Sequence, residues 1–265
     1  MSENQASKKA DYGLDAPGVV RNLFIAGLTS LLVLISILCG FWSGIVSIPI
    51  SGDALKIDFS GMALGCSVTM LAGGIWMVWS SKIGKLKSRD ELLDLILWNG
   101  SENVLDLGCG RGLLLIGAAK RLSSGRAYGI DIWQTEDLSG NSSEATLKNI
   151  RIEGVEDKAE IRTGDMRQLP FTDSTFDVIV SRAVIHNLYA SAEREKAILE
   201  AIRVLKPGGI AVIEDIRHVN EYAAVFKKNC NAQIEIKGSR IIASLTALIT
   251  LGSLRPGTLI VNKPS

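Results

Sequence analysis

The chain has 265 residues, 47% of them hydrophobic, with 29 Lys and Arg against 28 Asp and Glu. That is enough for one ordinary domain of about 100 to 200 residues plus a more apolar segment, and the near-cancelled charge excludes the basic excess by which proteins grip phosphate backbones, so no nucleic-acid partner is expected. The four cysteines, Cys39, Cys66, Cys109 and Cys230, form neither a Cys-x-x-Cys pair nor a zinc spacing; they read as reduced or inert thiols, and no metal site is expected.

Residues 1–21 read as a polar, cytoplasmic N-terminal tail. Two stretches without a charge follow, Asn22 to Gly52 and Phe59 to Ser81. A helix rises about 1.5 Å per residue and the hydrocarbon layer is roughly 30 Å thick, so each stretch can cross it. The expectation is a transmembrane hairpin over 22–81, with spans at about 23–48 and 60–81, a short polar connection "SGDALKIDF", and Pro49 ending the first span near the interface. Trp42, Trp76 and Trp79 stand near the ends of the stretches, where amphipathic rings prefer the headgroup level. Lys8, Lys9 and Arg21 precede the first span and Lys82, Lys85, Lys87 and Arg89 follow the second, against a single Lys56 between them. Both termini are therefore expected in the cytoplasm, on an integral membrane protein. A signal peptide is disfavoured by the polar residues ahead of the first span and the missing cleavage pattern; buried core helices of a soluble protein stay open as an alternative. Gly27, Gly40, Gly44, Gly61, Gly65, Gly73 and Gly74 allow helices to approach one another or a second copy closely, which keeps a homodimer among the expected partners.

A basic linker, 82–89, leads into a domain expected over 90–265. "SRDE" at 88–91 has the spacing of a capping box, with Leu92, Leu93, Leu95 and Ile96 as the apolar face of the helix it would open. Strand-like runs then alternate with helical ones: "NVLDLG", "AYGIDI", "AEIRTGD", "FDVIVS" and "GIAVIEDI" are separated by "LLLIGAAKRL", "SEATLKNIRIEG" and "AEREKAILEAIRVL". Such alternation predicts an α/β fold, a parallel sheet with helices on both faces. In that fold ligands sit at the carboxyl ends of the strands, near the point where strand order reverses. Gly108, Gly110 and Gly112 fall at the turn leaving the first strand, where a side chain would block close approach of backbone to ligand, and the helix that follows favours an anionic group. Asp131 ends the second strand, placed to accept hydrogen bonds from two ribose hydroxyls.

To this point the residues fit NAD as well as S-adenosylmethionine. The dinucleotide fingerprint is Gly-x-Gly-x-x-Gly/Ala, but its last position here is Leu113, which weakens a nicotinamide reading. The sequence resembles the class I S-adenosylmethionine-dependent methyltransferases, and most closely the small-molecule branch with quinone, sterol and arsenite methyltransferases. The resemblance is carried by "VLDLGCGRG", the acid in "GIDI", "GDMRQLPF", "FDVIVSRAVIHNL" and "LKPGG", five motifs in family order over roughly Asn103 to Asp215. It implies a Rossmann-like seven-stranded sheet and S-adenosyl-L-methionine as cofactor. By the same resemblance, Asp106 and the backbone of Gly108, Cys109, Gly110 and Gly112 would hold the methionine end. Asp131, followed by Ile132, would hold the ribose, Asp165 with the Met166 backbone the adenine edge, and Ser181 would line the pocket near the sulfonium. Lys206 to Gly209 reads as a helix stop and turn.

Methyl transfer from a sulfonium is an in-line displacement, which needs alignment and, for a protonated acceptor, a base. His186, after the fourth strand, is a candidate base, with substrate positioning or helix capping as open alternatives; Asn187 and Tyr189 are candidate partners for an acceptor. Glu214, Asp215 and His218 form a second polar cluster at the fifth strand's exit, where charged residues are usually solvated. The Asn/Asp-Pro-Pro-Tyr/Phe signature of amino-methylating enzymes is missing, and arsenite chemistry would need more thiolates than Cys109 and Cys230 supply. After "NAQIEIK", a sixth strand, and before "TLIVNK", which the resemblance implies is a last antiparallel strand, Ile241, Leu245, Leu248 and Ile249 repeat at helix spacing between Arg240 and Arg255. They read either as packed on the sheet or as an apolar lid at the bilayer interface. The functional expectation is a membrane-anchored methyltransferase acting on a small lipophilic acceptor. A membrane scaffold or assembly protein without turnover, and a nicotinamide-dependent reductase, stand as alternatives.

Overall fold

The computed structural model describes residues 9–50, 53–238 and 254–265. They fall into two compact units, one of Gly13–Lys85 with Thr135–Ser139, the other of the residues up to Tyr12 with Leu86–Gln134 and Gly140–Ser265.

In the first unit, helix α1 (Pro17–Leu38) opens on a proline whose missing N–H is no loss at a helix start. It stops at Cys39 and Gly40, the glycine in the left-handed region at φ 76°. From Cys39 to Ile50 the chain is not helical, whereas the expected span ran on to residue 48. Ile45–Ile50 is strand β1, paired antiparallel with β2 (Asp53–Asp58). The reason is local: Ile45, Val46, Ile48 and Ile50 are β-branched, and Pro49, lying opposite Ala54, cannot continue a helix. Helix α2 (Ser60–Trp79) packs on α1 through two of the glycines. A Cβ on Gly27 would lie 2.7 Å from Leu71 Cγ, and one on Gly74 3.1 Å from Phe24 Cε2, whereas Gly40, Gly61 and Gly65 have nothing within 4 Å.

Both helices are long and apolar enough to cross a membrane, yet only 11% and 17% of their most apolar windows is buried. That degree of exposure is the opposite of a soluble core helix, which hides its apolar side chains. A π-helical stretch, Ser80–Gly84, follows α2, and the backbone stays helical to Leu93 at the end of α3 (Lys85–Leu93). Ser88 therefore lies inside a helix already under way, not at a helix start; with no orphan N–H group to satisfy, the capping box is not formed. Thr135–Ser139 joins this unit by backbone hydrogen bonds, Ala16 N to Asp137 O at 2.8 Å and Ser139 N to Leu14 O at 3.0 Å. The buried Lys85 ammonium meets Asp15 at 2.9 Å.

The second unit is built on a seven-stranded sheet. Its strands are β3 (Asn103–Leu107), β4 (Arg126–Asp131), β5 (Ala159–Thr163), β6 (Phe176–Arg182), β7 (Leu205–Asp215), β8 (Gln233–Lys237) and β9 (Gly257–Asn262), in spatial order β5-β4-β3-β6-β7-β9-β8. The first five are mutually parallel, and β9 runs antiparallel between β7 and β8. Helices α4 (Leu113–Ala119), α5 (Ser143–Ile152), α6 (Ser191–Val204) and α7 (Val219–Cys230) cover the sheet.

Successive strand residues point to opposite faces, so two cores form. Leu105, Leu107, Ile179 and Ile213 pack with Ile198 of α6 and with Tyr222 and Phe226 of α7. Val104, Val178, Val180 and Val212 pack with Leu93, Leu115, Ile116 and Ile150 on the other face. Burial on both faces is why these strands read as near-continuous apolar runs. Lys206–Gly209 is not a separate turn before the strand; the register jumps from Phe176 opposite Leu205 to Val178 opposite Ile210, leaving these residues as a bulge in β7. The segment read either as packed on the sheet or as a lid, with Arg240, Ile241, Leu245, Leu248 and Ile249, lies outside the described residues.

Candidate functional site

The chain leaves β3 toward β4 on one side and returns through β6 on the other, so strand order reverses between β3 and β6. The turn at residues 108–112 stands at the carboxyl side of that switch. It is fastened from β4: Gly108 N and Cys109 N both donate to Ile130 O, at 2.9 and 3.1 Å. Gly108, Gly110 and Gly112 all have positive φ, the conformation glycine adopts without a Cβ penalty, and a Cβ on Gly108 would run into the Val184 side chain. Two buried side chains of α5 take the turn's carbonyls. Thr146 Oγ1 donates to Gly110 O at 2.7 Å, and Asn149 Nδ2 to Arg111 O at 2.9 Å.

Asp131, at the end of β4, accepts hydrogen bonds on both carboxylate oxygens. Its Oδ2 accepts from Gly110 N at 2.8 Å, and its Oδ1 from Trp133 N at 2.6 Å and Asn141 Nδ2 at 3.2 Å. The carboxylate thus ties the glycine turn to the loop after β4. Asn141 was not singled out by sequence; it is buried, and its Oδ1 has no hydrogen-bond partner among the described residues. A buried acceptor without a donor is costly, which sets Asn141 apart from the satisfied polar groups around Asp131. Its only signal in the chain was a polar residue ahead of the Ser142 cap of α5, and polar residues are expected there in any case.

Asp106 is buried on β3 and accepts from Leu115 N at 2.8 Å. Burial pushes its carboxyl up to about 8, with the charge of Asp131 adding to the effect and the Leu115 hydrogen bond opposing it. Burial also raises the Cys109 thiol well above its ordinary range, in keeping with an inert cysteine. Ile132 is half exposed next to these groups. Asp165 makes an Asx-type turn with Arg167 N at 2.8 Å, and its carboxylate is gripped by the same guanidinium at 2.6 Å, which holds its pKa below the usual carboxylate range. Met166 packs partly buried against the α6–α7 core. Ser181 does not line an open pocket. It is buried, and its hydroxyl donates to Leu107 O at 2.9 Å, stitching β6 to the end of β3.

Past β6 the chain bends sharply through Ala183, a non-glycine residue at φ 52°, into a short 3-10 turn, Ile185–Asn187. His186 on this turn meets Asp215 at the end of β7, Nδ1 to Oδ1 at 2.5 Å. Asp215 is not solvated as a strand-exit acid usually is; it is 1% exposed. The rest of the expected second cluster divides: Glu214 pairs with Arg182 at 2.7 Å, and His218 stands 3.4 Å from Glu221. Asn187 donates its backbone N–H to Val184 O within the turn. Tyr189 is 95% exposed and is not brought to His186; the buried Arg194 holds its carbonyl oxygen at 2.8 Å. Among the described residues no group of acids, histidines and cysteines has metal-ligand geometry.

A methyltransferase domain family matches residues 99–248. An uncharacterized protein of Haemophilus influenzae is 28% identical over 59% of this chain and 62% of its own. A sterol 4-C-methyltransferase of Caenorhabditis elegans is 35% identical over 46% of this chain and 34% of its own. The chain therefore spans less than two thirds of the length of these relatives. Among solved structures, a SAM-dependent methyltransferase from Aquifex aeolicus superposes with a TM-score of 0.51 at 17% identity, over 67% of this chain and 90% of that one, which is a likeness of fold.

Proposed function

We propose, because the chain belongs to the methyltransferase domain family, that it transfers a methyl group from S-adenosyl-L-methionine to a small lipophilic acceptor at a membrane. The observation that carries the cofactor assignment is the unpartnered Asn141 Oδ1 buried beside Asp131, whose other carboxylate oxygen holds Gly110 of the glycine turn. A nucleoside with ribose hydroxyls supplies the donors that Asn141 lacks. When bound, the cofactor brings a methyl group on a positively charged sulfur.

This chain's residues do the rest. Asp131 and Asn141 take the ribose, and Ile132 offers an apolar face to the adenine. The backbone at Asp165 and Met166 meets the adenine edge, the Asp165 carboxylate serving mainly to hold Arg167. Asp106 and the backbone of 108–112 hold the methionine end, where a buried carboxyl favours a cationic ammonium group. Ser181 acts indirectly, by fixing the two strand ends that carry the turn and the His186 segment. Asn187 and Tyr189 remain candidate acceptor contacts, the latter from an exposed position.

The membrane half of the proposal is supported by α1 and α2, which leave Leu32, Ile75 and Trp76 each more than 60% exposed. Apolar surface of that extent is stable in hydrocarbon and unstable in water. A two-span anchor with the sheet unit in the cytoplasm would keep the site where lipophilic molecules concentrate. The test is incubation of membranes carrying the protein with methyl-labelled S-adenosylmethionine, followed by separation of lipid and aqueous fractions. Label in the lipid fraction is expected; label in the aqueous fraction alone overturns the lipophilic acceptor, and no transfer to either fraction overturns methyl transfer.

A further inference from the structure

We propose that Asp215, backed by Tyr222, is a positioning residue that holds His186 with its proton on Nδ1 and its Nε2 lone pair open, so that the site takes an acceptor that gives up a proton as it is methylated. This role presupposes the methyl transfer proposed above.

The Asp215 carboxyl receives four contacts. Oδ1 accepts from Ile216 N at 2.7 Å and faces His186 Nδ1 at 2.5 Å; Oδ2 accepts from His186 N and from Tyr222 Oη, both at 3.1 Å. An ionised carboxylate is acceptor-only and has about four lone-pair positions, so these contacts fill it. Two of the donors are backbone N–H groups, which cannot accept. With three other donors already converging on this carboxyl, Oδ1 faces Nδ1 as an acceptor, and Nδ1 carries the ring proton. The backbone bond from His186 N to the same carboxylate fixes the turn as well as the ring. Burial also pushes the Tyr222 phenol upward, Asp215 adding to the shift, so Tyr222 stays a neutral donor.

Nε2 is left as an acceptor, and it has no partner among the described residues. The side chain is 15% exposed, so it is reachable from outside. Its position follows from the strand ends: the chain from Ala183 to Asn187 crosses beside the glycine turn, with Val184 against Gly108. A buried carboxylate that orients an imidazole and stabilises it once protonated is the arrangement a general base requires. As the acceptor's oxygen, nitrogen or carbon bonds to the methyl carbon, the carbon–sulfur bond breaks and its electron pair stays on sulfur. The acceptor's proton passes to Nε2, giving an imidazolium paired with Asp215, and later leaves to water. An acceptor without a removable proton, such as a thioether, has no use for this arrangement.

The test is the tautomer of His186 in the full-length protein, read from 15N shifts of labelled histidine at a pH where the ring is neutral. The chain has two histidines, and His218→Gln assigns them. We expect the Nδ1–H form in roughly tenfold or greater excess, about what one charge-assisted hydrogen bond supplies, and loss of that excess in Asp215→Asn. A wild-type ring protonated on Nε2 overturns the proposal even if the variant does not fold, as does a variant that folds and keeps the Nδ1–H form. Calorimetry with S-adenosylhomocysteine on the same samples separates the two readings. Absence of heat sinks the cofactor assignment whatever the tautomer; heat with an Nε2–H ring sinks only the role given to Asp215.

Discussion

Replacing Asp131 with asparagine keeps the shape of the side chain but removes one acceptor and the charge. The carboxylate serves three donors, Gly110 N through Oδ2 and Trp133 N and Asn141 Nδ2 through Oδ1. The one remaining oxygen does best facing the two donors on the Oδ1 side, which turns the new NH2 group toward Gly110 N. Two donors then oppose each other at a nearly buried position, 8% exposed. A hydrogen bond to a charged group contributes about 1.5 to 3 kcal/mol, and an unpaired buried donor costs a similar amount. A loss of about 2 to 3 kcal/mol is therefore expected. At about 2 to 4 °C per kcal/mol for a domain of this size, Tm should fall by roughly 4 to 12 °C. Where the loss falls on the bound conformation of the turn, affinity for S-adenosylhomocysteine should drop by about 30-fold to 150-fold. Thermal melting and titration calorimetry on the same preparation measure both. A variant that melts within about 1 °C of the wild type and binds equally well would mean that Asp131 does not fasten the turn or hold the ribose.

The remaining predictions concern charge, backbone and membrane. Asp106 has a folded-state pKa raised to about 8 from the ordinary 3.8. The native state therefore keeps a proton that the unfolded chain has lost, and this group's contribution to stability declines as pH rises from about 4 to about 8; in Asp106→Asn, melting curves should lose that part of the pH slope. If a cationic group binds near Asp106, its proton leaves on binding. Calorimetry near pH 7 in buffers of different ionisation enthalpy should then show proton release with the wild type and less with Asp106→Asn. Gly108→Ala places a side chain at φ 69° and against Val184, so Tm should fall by an amount matching at least the ~1 to 2 kcal/mol of a left-handed alanine. Trp42, Trp76 and Trp79 belong to the unit with the apolar helices, Trp98 and Trp133 to the sheet unit. In vesicles with brominated acyl chains, quenching should fall on the first three, which single-tryptophan variants can check; equal quenching of all five would contradict the anchor.

Much of the sheet unit was legible in the chain because its determinants are local. Strands buried on both faces must be apolar throughout, and a turn that passes close to a ligand must be glycine, so "VLDLGCGRG" announces its own conformation. The antiparallel last strand was an expectation of the resemblance, and it lies between β7 and β8. Local pattern misled where two structures satisfy one composition. An uncharged run from Asn22 to Gly52 can cross a membrane as a helix, but β-branched residues around Pro49 make Ile45–Ile50 a strand, and hydropathy does not distinguish the two. "SRDE" is a helix start only if the chain before it is not helical, and here it is.

The sequence by itself determined the nature of the fold, the position of the glycine turn and the acid on the neighbouring strand. Only the tertiary structure decided which polar groups meet. Asp215 lies 29 residues from His186, and nothing in either stretch says that their strands end side by side or that the carboxylate is sealed from water. The partners of Ser181 and Asn141 were decided in the same way: one hydroxyl found a carbonyl across the sheet and the other side chain was left with an unmet acceptor. Burial and hydrogen-bond partnership are properties of packing between distant segments, whereas helix period, strand alternation and turn conformation are written residue by residue.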